Sequence, residues 1–159
     1  MPERGTSGTP HTVLAFDFGF RRIGIASADT LTRAPTPRGA VRATAAGPDW
    51  SGIEAEVRRL APRVLVVGAP YNVDGSAGAI THAARDFARE LERRFTLPVH
   101  LVDERYSSLE AEASLRERRA SGARRRRVAR ADVDGAAAAV ILGRWLAGEP
   151  AASLEDRKT

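Results

Sequence analysis

Apolar positions along this chain follow two rhythms, and the change from one to the other lays out its elements. Val13-Leu14-Ala15-Phe16 is a short apolar run ending in Asp17, the pattern of a buried strand. Residues 18–22 make a tight glycine-containing turn, and Ile23–Ala28 returns as a second strand, which predicts a hairpin. A third strand fits residues 38–43, with prolines at 35, 37 and 48 around it. Helical spacing then begins. Ile53, Val57, Leu60 and Ala61 share one face of a short helix stopped by Pro62. Val64-Leu65-Val66-Val67 is unbroken and rich in β-branched residues, as in a strand covered on both faces. It runs into a polar loop, Gly68–Ser76. Ile80, Ala84, Phe87, Ala88, Leu91 and Phe95 then mark the inner face of a longer helix.

Pro98–Val102 is a further strand that ends in Asp103-Glu104-Arg105. Ser107 and Glu110 have capping-box spacing, which starts a helix through about Arg119. Ala136–Leu146 forms the last helix, with Asp132 placed as its N-cap and Gly148 and Pro150 ending it. Residues 1–11 and 149–159 read as flexible tails around one domain spanning 12–148. The element order predicts an α/β fold: a mixed sheet of five strands, the first three antiparallel and the last two parallel to the first, flanked by helices.

Composition narrows the function classes. A chain of 159 residues, 43% hydrophobic and 28% charged, suits a single soluble domain with its own core. The absence of cysteine excludes disulfides, thiolate zinc sites and cysteine nucleophiles. Neither a secretory apolar stretch nor a membrane-spanning run is present, so a cytoplasmic protein with no membrane partner is expected. The net charge of +5 is unevenly spread: residues 116–130 hold eight arginines against one acid, Glu117, and the remainder of the chain is net acidic. Such a cluster suits a polyanion, because each neutralised phosphate releases counterions. A solvated basic loop is the plain alternative.

Open α/β sheets bind ligands beyond the carboxyl ends of their parallel strands. Asp17, the 68–76 loop and Asp103-Glu104 all fall there. Each acid alone has a commonplace explanation as a turn or cap residue. Three strands ending this way on one edge make a site-like pattern. Asp134, two residues past Asp132, either complements the dipole of the last helix or projects toward the strand ends. Clustered carboxylates repel unless cations sit between them. Oxygen donors without cysteine point to Mg²⁺ or Mn²⁺, and two such ions about 4 Å apart would stabilise both oxygens of a phosphoryl transfer. His11, His82 and His100 show no metal-binding spacing, and neither a G-x-S-x-G elbow nor a P-loop occurs.

These motifs resemble the YqgF/RuvX family, small ribonuclease H-like nucleases described both as Holliday junction resolvases and as pre-16S rRNA processing nucleases. The family's D-x-G-x-x-R-x-G stands here as Asp17–Gly24, its G-x-P-x-N-x-D-G as Gly68–Gly75, and its D-E-R as Asp103-Glu104-Arg105. Its V-D before an alanine-rich helix stands as Val133-Asp134. The resemblance implies a ribonuclease H-like fold, and a two-metal site in which Asp17, Glu104 and Asp134 hold Mg²⁺ or Mn²⁺ and perform catalysis. It makes Asp103 a supporting acid, and Gly19, Asn72, Asp74 and Gly75 parts of loops that shape the site. Arg22 and Arg105 would meet phosphate, as would Arg124, Arg125, Arg126 and Arg127 in a basic loop that relatives build largely from lysine. Tyr106-Ser107-Ser108 replaces the usual Leu/Phe-Thr-Thr and keeps both hydroxyls. Gly135 stands where relatives carry a larger residue, which is expected to loosen the start of the last helix.

The reading that follows is an endonuclease acting on nucleic-acid phosphodiesters, with processing of pre-16S ribosomal RNA first among its substrates. Resolution of branched DNA is the alternative, and it would call for a homodimer with paired sites. A non-catalytic nucleic-acid-binding module is the second class, opposed by the complete set of acids. An ATP-binding domain of the actin and sugar-kinase type is the third, opposed by a length that supplies one domain where that class needs two. Replacing Arg124–Arg127 with alanine is expected to weaken RNA binding and flatten its salt dependence in a titration from low to high salt; unchanged binding would return that segment to a solvated loop.

Overall fold

The computed structural model describes residues 9–71, 74, 76–103, 130–148 and 151–153, the backbone alone for 130–134 and 151–153. The expected hairpin forms from β1 (Thr12–Asp17) and β2 (Arg22–Asp29), paired antiparallel from Thr12–Asp29 to Asp17–Gly24. The third strand, β3 (Thr36–Thr44), continues antiparallel on β2. Its register slips between Ile25 and Ala26, beside Pro37, which has no N–H to give a regular ladder. β4 (Gly47–Pro48) adds a two-residue edge. β5 (Val64–Ala69) and β6 (Val99–Asp103) extend the other side of β1, both parallel to it. β7 (Ala151–Ser153) closes that side antiparallel to β6, giving the order β4-β3-β2-β1-β5-β6-β7.

Among the described residues the sheet therefore has seven strands, where the sequence predicts five. The two extra strands are short edges whose sequences, Gly-Pro and Ala-Ala-Ser, carry no alternation to reveal them. Ala151–Ser153 lies within the segment expected to be a tail; pairing of its backbone, not side-chain burial pattern, places it in the sheet. At the other end, His11 was also assigned to a tail, yet its carbonyl accepts from the Thr30 amide at 2.9 Å. The arrangement of three antiparallel strands followed by parallel ones is as the sequence predicts.

Among the described residues three helices cover the two faces. α1 (Trp50–Leu60) starts on Asp49, whose carboxylate accepts from the Gly52 amide at 3.1 Å, a conventional N-cap. It ends at Ala61 in the left-handed region, so Ala61 is an exposed cap rather than part of the inner face. α2 (Ala79–Phe95) buries Ala84, Phe87, Ala88 and Leu91 as its spacing predicts, and also Thr81. On its outer side Glu90 accepts from Arg93 and from Arg94, and the Arg93 contact chiefly holds its carboxyl below the usual range. Both partners are in water, so the pair adds little stability. α3 (Arg130–Leu146) begins six residues earlier than expected, which places Asp132 inside the first turn and not at the N-cap. The expected helix Ser107–Arg119 lies outside the described residues. Among the described residues no helix is long and apolar enough to cross a membrane.

Strand alternation sorts the core into two halves. Leu14, Phe16, Ile23, Ile25, Leu65, Val67 and Leu101 face α1 and α2. Val13, Ala15, Ala26, Ala28, Val66 and Val102 face Ala138, Ile141 and Leu142 of α3. Phe87 anchors the first half, with the rings of Phe16, Phe18 and Trp50 centred 5.5, 5.3 and 5.5 Å away. Phe87→Ala should cost about 3–5 kcal/mol of unfolding free energy, read by chemical denaturation, because it leaves a void where three rings converge; a loss below 1 kcal/mol would mean that this half of the core can collapse around the gap.

Candidate functional site

The position of Asp17 follows from the strand before it. Val13, Leu14, Ala15 and Phe16 are each 0% exposed, and β1 is hydrogen-bonded along both edges. The buried run stops at Asp17, which is half-buried and stands opposite Gly24 on β2 and Gly68 on β5. Paired residues of neighbouring strands point to the same side of a sheet, and successive ones to opposite sides. Asp17 shares the side of Val13 and Ala15, which is the α3 side. Val102 lies on that side too, so Asp103 stands on the other, in register with Ala69. Asp17 and Asp103 thus come to the same end of the sheet on opposite faces.

Turn geometry explains the glycine of the first motif. A Cβ on Gly19 would lie 2.6 Å from the Arg22 carbonyl oxygen, closer than any real contact, so only hydrogen fits there. This lets the chain turn within a few residues and return as β2 with Arg22 beside the end of β1. Arg22 is half-buried and shares Asp17's face, two positions beyond Gly24.

The 68–76 loop is tied down from both ends. The Thr81 hydroxyl donates to the Pro70 carbonyl and accepts from the Gly78 amide at 3.0 Å, joining the loop to the first turn of α2. Thr81 is fully buried, a part that nothing in the chain's pattern signals beyond a threonine just inside a helix. Asp74 accepts from the Ser76 amide at 2.9 Å and from its hydroxyl at 2.7 Å, closing an Asx-type turn. The residue preceding α2 is Gly78, so Asp74 shapes the loop and does not cap that helix. Tyr71 receives a hydrogen bond from Arg85 at 3.3 Å and lies under its guanidinium.

The approach of α3 is set by a glycine pair. A Cβ on Gly135 would meet the Gly39 nitrogen at 3.1 Å and the Pro37 Cβ at 3.2 Å, and one on Gly143 would meet Pro35 at 3.8 Å. The helix therefore runs along β3 from Gly39 toward Pro35, and it starts at the end of the sheet where Asp17 sits. Gly135 is buried in this contact, so its lack of a side chain lets the helix approach β3 closely. The backbone of Asp134 belongs to the first turns of α3. Farther along, Arg144 donates to the Asp103 carbonyl at 3.3 Å and Trp145 packs on His100.

Glu104, Arg105, Asn72, Gly75 and Arg124–Arg127 lie outside the described residues, as do the side chains of Asp132 and Asp134. Among the described residues no three His, Asp or Glu side chains form a metal-binding group. Of the expected site, the described part is Asp17 and Arg22 on one face, Asp103 on the other, and Gly19 and Asp74 in the turns.

A three-stranded antiparallel unit continued by parallel strands, with an acid ending the central strand and a helix lying across that face, defines a ribonuclease H-like domain. The fold is shared with RuvC of T. thermophilus in complex with Holliday junction substrate, at a TM-score of 0.53 and 14% identity, covering 90% of this chain and 99% of that one. The chain belongs to the RuvX family: the family model described as "RuvX: Holliday junction resolvase" matches residues 11–148. It is 44% identical over 133 residues to a protein of Legionella pneumophila strain Paris named "Putative pre-16S rRNA nuclease", covering 84% of this chain and 93% of that one. A protein of the same name from Xanthomonas oryzae pv. oryzae strain PXO99A is 42% identical, with 97% of this chain and 99% of that one covered.

The close approach at Gly19 has a direct consequence. Gly19→Ala should lower the melting temperature by about 2–10 °C, since the new methyl group forces the Asp17–Arg22 turn apart; an unchanged melting curve would show that the turn has room that the geometry denies.

Proposed function

We propose that this protein is a divalent-metal-dependent endonuclease that cuts nucleic-acid phosphodiesters, and that its physiological cut lies in pre-16S ribosomal RNA. The observation that carries the proposal is the placement of Asp17: a carboxylate that follows four fully buried residues of β1, on the face where α3 begins and Arg22 stands. The names of the relatives from Legionella and Xanthomonas support the choice of ribosomal precursor, at 44% and 42% identity. A cytoplasmic location accords with that substrate.

Asp17, Glu104 and Asp134 are the residues that would hold the metal. Their oxygen donors suit Mg²⁺ or Mn²⁺. Asp103 occupies the opposite face from Asp17, and this favours Glu104 over Asp103 as the partner acid. The start of α3 at the Asp17 end favours Asp134 as the third. When bound, a pair of such ions would supply an activated water and neutralise charge on the leaving oxygen. The protein's own part is to hold Asp17 at the end of the doubly paired β1, and to receive phosphate on Arg22, Arg105 and the 124–127 arginines. The amino end of α3 adds a favourable field for a phosphate at this edge.

Branched DNA is the second reading, favoured by the family description and the likeness in fold to RuvC. It requires a two-fold dimer, so the oligomeric state in solution bears on it. For the first reading, Asp17→Asn should abolish Mg²⁺-dependent cleavage of a ribosomal precursor, a fall of at least 10³-fold, while RNA binding stays within a few-fold. Wild-type cleavage by the purified variant would remove Asp17 from the site.

A further inference from the structure

We propose that Arg42 on β3 is a phosphate contact of the substrate strand, one that holds the nucleotide beside the scissile bond and not the scissile phosphate itself. The proposal rests on the nuclease reading and adds a residue to it. Arg42 pairs in register with Arg22 on β2. Two residues directly opposite each other in antiparallel strands share a face, and alternation puts this pair on the face of Asp17, Gly24 and Ala40. Like charges so placed repel and cost stability. An anion beside Arg42 offsets the charge that it brings to this row.

The surroundings of Arg42 mark it out from five exposed arginines of α1 and α2. Arg58, Arg59, Arg89, Arg93 and Arg94 each pair with an acid on their own helix. Arg42 is exposed and makes no ion pair among the described residues. Arg21, one residue before β2, is also exposed, and its carbonyl accepts from the Ala43 amide at 2.9 Å, so the pairing of β2 and β3 continues past the Arg22–Arg42 row. Position then decides which phosphate is met. The Arg22–Arg42 row lies two residues beyond the Asp17–Gly24 row, about 7 Å along the strands, and β3 is two strand spacings from β1, so Arg42 starts roughly 12 Å from Asp17. A guanidinium there spans toward a neighbouring phosphate of a strand whose scissile group lies at Asp17. The substrate strand would thus cross the sheet end from β1 toward β3.

The test uses the full chain carrying Asp17→Asn, so that bound RNA stays intact, with an oligonucleotide spanning the cleavage site. Adding Arg42→Ala is expected to weaken binding about five- to tenfold and to lower the slope of log affinity against log salt by about one. Arg63→Ala, an equal loss of charge at the far end of the sheet, should leave both unchanged. A single uncharged methylphosphonate next to the scissile position should reproduce the loss in the Arg42 protein and cost the Arg42→Ala protein nothing further. An unchanged slope for Arg42→Ala, or an equal loss for Arg63→Ala, would overturn the contact. Cleavage is scored separately: none by wild type would count against the nuclease reading, persistence in Asp17→Asn would remove Asp17 from the site, and either leaves the Arg42 binding result standing.

Discussion

The structure depends on β1 having no freedom to move. Its backbone is paired on both edges, to β2 antiparallel and to β5 parallel, and its two faces are sealed by separate halves of the core. Any slip of one residue would exchange Phe16 and Leu14 with Ala15 and Val13, driving large side chains into the narrow space under α3 and leaving a void under α2. Register is therefore strongly determined, and Asp17 inherits that rigidity as the next residue after the buried run. In the proposed metal-holding role Asp17 would gain from such a mounting, because site geometry loosens quickly when its support does.

The two faces of the sheet are not equivalent, and the difference organises the site. The α1–α2 side is filled by Phe16, Phe18, Trp50 and Phe87, whose rings need depth. On the α3 side, Ala15, Ala26, Ala28, Ala138 and the contact of Gly135 with Gly39 let a helix lie close. Close approach brings the amino end of that helix to the strand end with Asp17, and the same alternation puts Arg22 and Arg42 there while sending Asp103 away. Small residues in α3 and β3 thus serve the chemistry by what they leave out.

Much of this was legible from the chain because burial and period coincide in it. The unbroken run Val64–Val67 could only be a covered strand, and Asp17 had to stand at the end of its own run. The edge strands Gly47–Pro48 and Ala151–Ser153 were not legible, since an edge formed by backbone pairing alone leaves no side-chain signature. The start of α3 was placed too late because Asp132 looks like a cap, although the helix continues back through it to Arg130. The packing role of Gly135 was not legible either: glycine weakens a helix taken alone, and its contact with Gly39 is one that a one-dimensional pattern cannot contain. Thr81 escaped notice in the same way, since its partner, Pro70, lies across a loop.

Family membership and fold leave the nature of the cut as the point on which the account stands or falls. The most direct measurement is cleavage of a 16S ribosomal precursor by the wild-type protein in Mg²⁺, repeated after the metal is chelated and again after it is restored. The account predicts defined products with Mg²⁺, none with chelator, and full recovery on restoration, with a four-way DNA junction cut far more slowly under the same conditions. Equal product with the metal removed, or no cleavage of the precursor in either condition, would contradict it.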